Sequence, residues 1–234
     1  ELSTSQIQAL TTAGVAALGT TGSSTLSTTQ IEALKTAQVA ALTTGQVLEL
    51  TSNQVVVMET ADVAALRTAQ VAALSTTNLV EMSTSQVQAF GTAVIASLST
   101  GQIAVLTTTQ AEVLTSAQAA ALRSSQVSDI ATNTLAALGT SAVSALSTAV
   151  VAALSTTGVE ALGTSQIVAL RTAQVAAMST GQIAVLTSNQ AVVLETTDIA
   201  ALRTAQVAAL STTNLIELST SQIQALTTAG VAAL

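Results

Sequence analysis

Counting from Leu2, the chain is an eight-residue phrase repeated 29 times without insertion or deletion, and Leu234 opens a thirtieth copy. The phrase is cleanest at Leu66-Arg67-Thr68-Ala69-Gln70-Val71-Ala72-Ala73. A period this short leaves little choice of architecture. Burying one Leu and one Val yields roughly 3–6 kcal/mol, whereas ordering the backbone of an octad costs about 8–16 kcal/mol. No octad can fold alone, so the copies must stack as a solenoid or array.

Three columns carry the pattern. The first place is Leu except at Met58, Met82, Phe90, Ile130 and Met178. The sixth is apolar in every copy but one, Ser23. Together they predict the core, with Leu66, Val71 and Leu74 in one stretch and Leu202, Val207 and Leu210 in another. The third place is Thr or Ser in all 29 copies. The unbroken period predicts one continuous solenoid over residues 1–234. The weakest octad is 18–25, with Gly19, Gly22 and Ser23, where a local loosening or a contact with something else is expected. Between 131 and 165 the fifth place leaves its usual Gln for Thr134, Ala142, Val150 and Gly158.

A longer repetition overlies the octad. Residues 52–90 and 188–226 agree at 31 of 39 positions, displaced by 17 octads. Residues 1–18 and 217–234 are identical, displaced by 27 octads. Duplication of whole blocks accounts for both, and predicts that the chain is one segment of a longer array.

Within the octad, helix and strand compete. A uniform α-helix is excluded, because eight residues do not make a whole number of turns of 3.6. The helix must break once per copy, and the hydroxylic third place is the expected N-cap. Thr68, Thr76, Thr84, Thr204, Thr212 and Thr220 are then capping residues, each followed by a helix of about six residues, some 9 Å long. All five cations (Lys35, Arg67, Arg123, Arg171 and Arg203) fall in the second place, just past the expected C-terminus, and Asp62 and Asp198 fall in the first turn. A helix dipole favours that distribution. The rival is a β-solenoid with Thr and Gln ladders. It places Val71 and Leu74 on opposite faces, because their separation is odd, and fills strands with Ala, the best helix former. The expected fold is therefore an all-α solenoid of short capped helices.

Composition narrows the function. There is no His, Cys, Tyr, Trp or Pro, and Phe90 is the one aromatic. Disulfides and thiolate metal sites are excluded. Catalysis has only Ser, Thr, Lys35 and the carboxylates to draw on, and each of these has a repetitive structural explanation; no enzyme is expected. Glu59, Asp62 and Arg67, repeated as Glu195, Asp198 and Arg203, fall short of the oxygens that calcium needs. They read better as an aspartate at the helix dipole and a glutamate pairing with the arginine one octad on. The scattered cations, with no aromatics to stack bases, argue against nucleic acid. Ser and Thr interrupt every apolar run, so no transmembrane helix is expected. The Gln column reads as an early-helix residue that reaches a neighbouring coil's backbone.

The phrase Leu202-Arg203-Thr204-Ala205-Gln206-Val207-Ala208-Ala209-Leu210 resembles arrays in very large bacterial exoproteins commonly labelled adhesins or haem-utilisation proteins. It also looks like the helix openings of superhelical surface proteins of the mesothelin type. The first resemblance implies a secreted or surface-displayed stalk. It brings no haem site, since the chain has no His, Cys or Tyr to ligate iron. With only 7 % charged residues, the hydroxyl-rich surface suits self-association, head to tail or side by side, into an extracellular filament, sheath or adhesin stalk. No cofactor, small-molecule substrate or nucleic-acid partner is expected. The alternative is an ice-binding protein using a regular Thr array, which the capping role of the third place would weaken.

Overall fold

The computed structural model describes residues 2–234. Among them lie 28 α-helices and one 3-10 turn, one element per octad, with no strand. The fold is all-α, and the β-solenoid is excluded for the described residues. The chain divides into two compact units, Glu1–Val113 and Leu114–Leu234, and each is a helical solenoid in its own right.

Each helix is brief because two residues break it. Leu66 and Arg67 are both extended (ψ 135° and 157°) between the helices Thr60–Ala65 and Thr68–Ala72. The first place closes one helix and the second opens the next. In unit 2 the corner Leu202–Arg203 is built alike (ψ 133° and 154°).

This overturns the expected capping column. Thr68, Thr76, Thr84, Thr204, Thr212 and Thr220 are not N-caps; each is the first residue inside its helix. The caps stand one place earlier, at Arg67, Ser75, Ser83, Arg203, Ser211 and Ser219. At Ser83 and Ser219 the reason is the capping box, which needs a hydroxyl three residues before a Gln. Ser83 Oγ accepts from the Gln86 N–H at 3.2 Å, and Gln86 Oε1 accepts from the Ser83 N–H at 2.8 Å. The third-place residue is too close to its Gln for that exchange.

The burial pattern follows from the same geometry. Leu66, Val71, Leu74, Leu202, Val207 and Leu210 are all buried, and so is nearly every fifth-place residue. Helices three octads apart pack on one another: in unit 2, Thr164–Val168 packs on Ser188–Ala191, which packs on Thr212–Glu217. One coil of each solenoid is therefore three octads.

Two octads depart from the pattern. In octad 18–25 the expected loosening takes the form of a rebuilt corner. Gly19 adopts φ +71°, open to glycine without a Cβ clash, and its helix Gly19–Ser24 starts a place early. Ser23 is fully buried there, its hydroxyl donating to Thr20 O at 2.9 Å. At Ser124–Gln126 the helix tightens to a 3-10 turn, where Ser124, Ser125, Ser128 and Asp129 are weak helix formers.

Candidate functional site

The chemistry of the molecule is concentrated in the buried fifth-place column. A short helix leaves its last carbonyls without intrahelical donors. The glutamines supply them from one coil on. Gln86 Nε2 donates to Val55 O at 2.9 Å and Met58 O at 2.8 Å. Gln174 Nε2 donates to Val143 O at 3.0 Å and Leu146 O at 2.7 Å, while its Oε1 accepts from the Arg171 N–H at 2.6 Å. One amide thus closes its own helix start and the helix end of the coil before. Every hydrogen-bonding group of the amide is engaged, which is what makes its burial tolerable.

The third-place hydroxyl has a different task from capping. Where the fifth place one coil on is Asn, it donates across the coils: Ser52 Oγ to Asn78 Oδ1 at 3.2 Å, and Ser188 Oγ to Asn214 Oδ1 at 3.3 Å. Those asparagines still reach one carbonyl each, Leu50 O at 2.8 Å and Leu186 O at 2.7 Å.

Asp62 and Asp198 occupy the same buried column, both 2 % exposed. They lack the N–H₂ that Gln and Asn offer to the carbonyls. Burial pushes both carboxyls above the ordinary value of 3.8. Hydrogen bonds from the Thr36 and Thr172 hydroxyls oppose the rise, and the Glu59 and Glu195 carboxylates add to it.

The five cations stand at helix starts as N-cap residues, because the linker is too short to separate one helix's end from the next one's beginning. Two of them find a carbonyl partner one coil back. Arg171 Nη2 donates to Leu146 O, and Arg203 Nη2 to Met178 O, both at 3.0 Å. Leu146 and Met178 are C-cap residues of their helices. Arg67 and Arg203 direct Nε to Gln70 and Gln206 Oε1, at 3.4 and 3.2 Å. The arginines thus turn to backbone and amide oxygens, not to the glutamate one octad before.

Open depressions mark the surface. One of about 400 Å³ is lined by Thr140, Ser141, Ser144 and Ala169. Another, of about 240 Å³, is lined by Thr76, Thr77, Val80, Glu81 and Val105. Among the described residues no cluster of three acidic side chains could hold a metal, and no helix is long and apolar enough to cross a membrane.

Short helices stacked three octads per coil and stitched by buried side-chain amides define a helical repeat protein. The ALTTAQ repeat model matches residues 24–52, 55–92, 79–116, 151–188, 159–196 and 192–228, and the chain belongs to the ALTTAQ repeat family. The unmatched stretch between 116 and 151 holds the 3-10 turn and the fifth-place residues Thr134, Ala142 and Val150. No curated protein matches the chain.

Proposed function

We propose that this chain is a non-enzymatic structural element, displayed outside the cell as a filament, sheath or adhesin stalk, that associates with copies of itself as one continuous array. The observation carrying this reading is where the polar chemistry goes. The buried amides bind backbone between coils, and no buried side-chain N or O among the described residues lacks a partner. The buried polar side chains are committed to making a wall. The low charge that remains offers little resistance to copies packing together. Intact cells treated with a protease, followed by immunoblotting, test the location; electron microscopy of the purified natural protein tests assembly. Surface cleavage and extended particles are expected. A protected intracellular protein that stays monomeric at high concentration refutes the proposal.

Ice binding gains one argument. Because the caps stand in the second place, third-place hydroxyls such as Thr204 and Thr220 are exposed and not bound to capping. Thermal hysteresis measured at sub-millimolar protein is the test. A clear freezing gap would favour this reading over the filament.

A further inference from the structure

One stack of helices in unit 2 has an unusual surface. Thr140–Ala145, Thr164–Val168, Ser188–Ala191 and Thr212–Glu217 pack in succession, one per coil. The seventh place of the last three octads carries Val168, Val192 and Ile216, exposed to 48, 40 and 80 %. Elsewhere that place is mostly Ala. The three lie one coil apart, so they form a single apolar file along the stack. The four octads of this stack hold one charged residue, Glu217, whereas the stack through Arg123, Asp129, Arg171, Glu195 and Asp198 holds five. The feature recurs in unit 1, where Val56 and Val80, one coil apart on packed helices, are exposed to 46 and 38 %.

We propose that the file Val168–Val192–Ile216 is the lateral contact with a second copy of this chain. This deepens the self-association reading and rests on it. Charge permits a second copy as the occupant. The chain carries a net charge of −7, but this stack holds the fewest charged side chains of the three in unit 2, one against two (Glu160, Arg203) and five, so two copies that meet through it desolvate little charge. An antiparallel arrangement puts the two Glu217 side chains at opposite ends of the contact. Spacing points the same way: a second copy presents apolar side chains at the same one-per-coil interval, so each finds a counterpart. A file this narrow buries less than a standard interface. Pairing is therefore weak for one chain and grows with the number of coils engaged.

Sedimentation velocity over a concentration series tests the proposal with four proteins: wild type, Val192→Glu/Ile216→Glu, Val192→Lys/Ile216→Lys, and an equimolar mixture of the two variants. Both positions are exposed, so each variant should keep the wild-type circular dichroism; Val192→Thr/Ile216→Thr replaces any that does not. Wild type should associate, each charged variant alone should lose about tenfold or more in association constant, and the mixture should recover it. Variants that associate as wild type does overturn the file as the contact and leave self-association standing. A wild type that remains monomeric throughout overturns both. Loss in both variants without recovery in the mixture overturns the face-to-face pairing of copies through this file.

Discussion

The buried aspartates give the sharpest test of the inter-coil bonding. In Asp62→Asn and Asp198→Asn the new amide can copy Asn78, whose Nδ2 lies 2.8 Å from Leu50 O and whose Oδ1 accepts from Ser52 at 3.2 Å. Thr36 and Thr172 already stand as hydrogen-bond donors to the two aspartates, so the acceptor half of the arrangement exists. The gain is one hydrogen bond per site, about 0.5–1.5 kcal/mol each. Relief of a buried carboxylate adds to it. The double variant should melt higher at pH 7, by about 2–4 °C per kcal/mol for a chain of this length. The effect must depend on pH in one direction. Burial raises both carboxyls above 3.8, so the neutral acid suits the folded state better than the carboxylate does. Their contribution to stability is full below the unfolded value and is lost as pH rises through the folded one. The charged groups acting on these carboxyls are Glu59 at the first site and Glu195 at the second. The gap between thermal melts of wild type and double variant from pH 3 to pH 7 should be smallest at the acid end and widen toward neutrality. A gap that stays constant with pH, or an asparagine variant that melts lower at pH 7, would falsify the account.

Three further outcomes follow from the same geometry. Gln86→Leu keeps the volume but strands Val55 O, Met58 O and the Ser83 N–H, and should cost about 2–4 kcal/mol in chemical denaturation. Ser219→Ala should cost about 0.5–2 kcal/mol, whereas Thr220→Val, one residue on and exposed, should change stability by less than about 0.5 kcal/mol; the reverse order would restore the third place as the cap. At Gly158 an added Cβ would stand 2.7 Å from Leu135 Cδ1 and 3.0 Å from Ser155 Oγ, so Gly158→Ala should lower stability by about 1–3 kcal/mol, and a neutral result would show that the coils there can part.

The octad, its helical character and its apolar columns were legible because each is a local property of eight residues. The cap was misplaced by one residue for an identifiable reason. Invariance of the third place drew attention to Thr68 and Thr84, while the second place mixes Ser and Thr with Arg, Gly and Glu. The better signal was relational: Ser83 with Gln86 and Ser219 with Gln222 are S-x-x-Q capping boxes. They recur even though the second-place column alone looks variable. The five cations invited a dipole argument that was sound in physics and wrong in address, since Arg171 and Arg203 serve helix ends one coil back. The three-octad coil could not be read at all. Every octad in a coil meets the same neighbours before and after it, so nothing in the residues distinguishes a period of three octads from two or four.

That same equivalence explains how blocks can be copied freely in such a chain. The contacts of an octad run to its own corner and to the octads three before and three after, as Gln86 shows by reaching Val55 and Met58. A block moved by any whole number of octads carries most of its partners with it. Residues 52–90 recur at 188–226 with Ser52–Asn78 rebuilt as Ser188–Asn214 and Thr36–Asp62 matched by Thr172–Asp198. Only contacts across the edges of a block must be made anew, and there the new neighbour offers the same columns as the old. Seven of the eight differences between the two blocks exchange one apolar residue for another, which keeps the hydrogen-bonded column intact while the apolar surface drifts. Ile216 in place of Val80 is one such exchange, and it carries the most exposed large apolar side chain of the molecule, at 80 %. The wall and the surface are thus under separate control: the fifth place fixes how coil meets coil, and the seventh is free to vary at the surface.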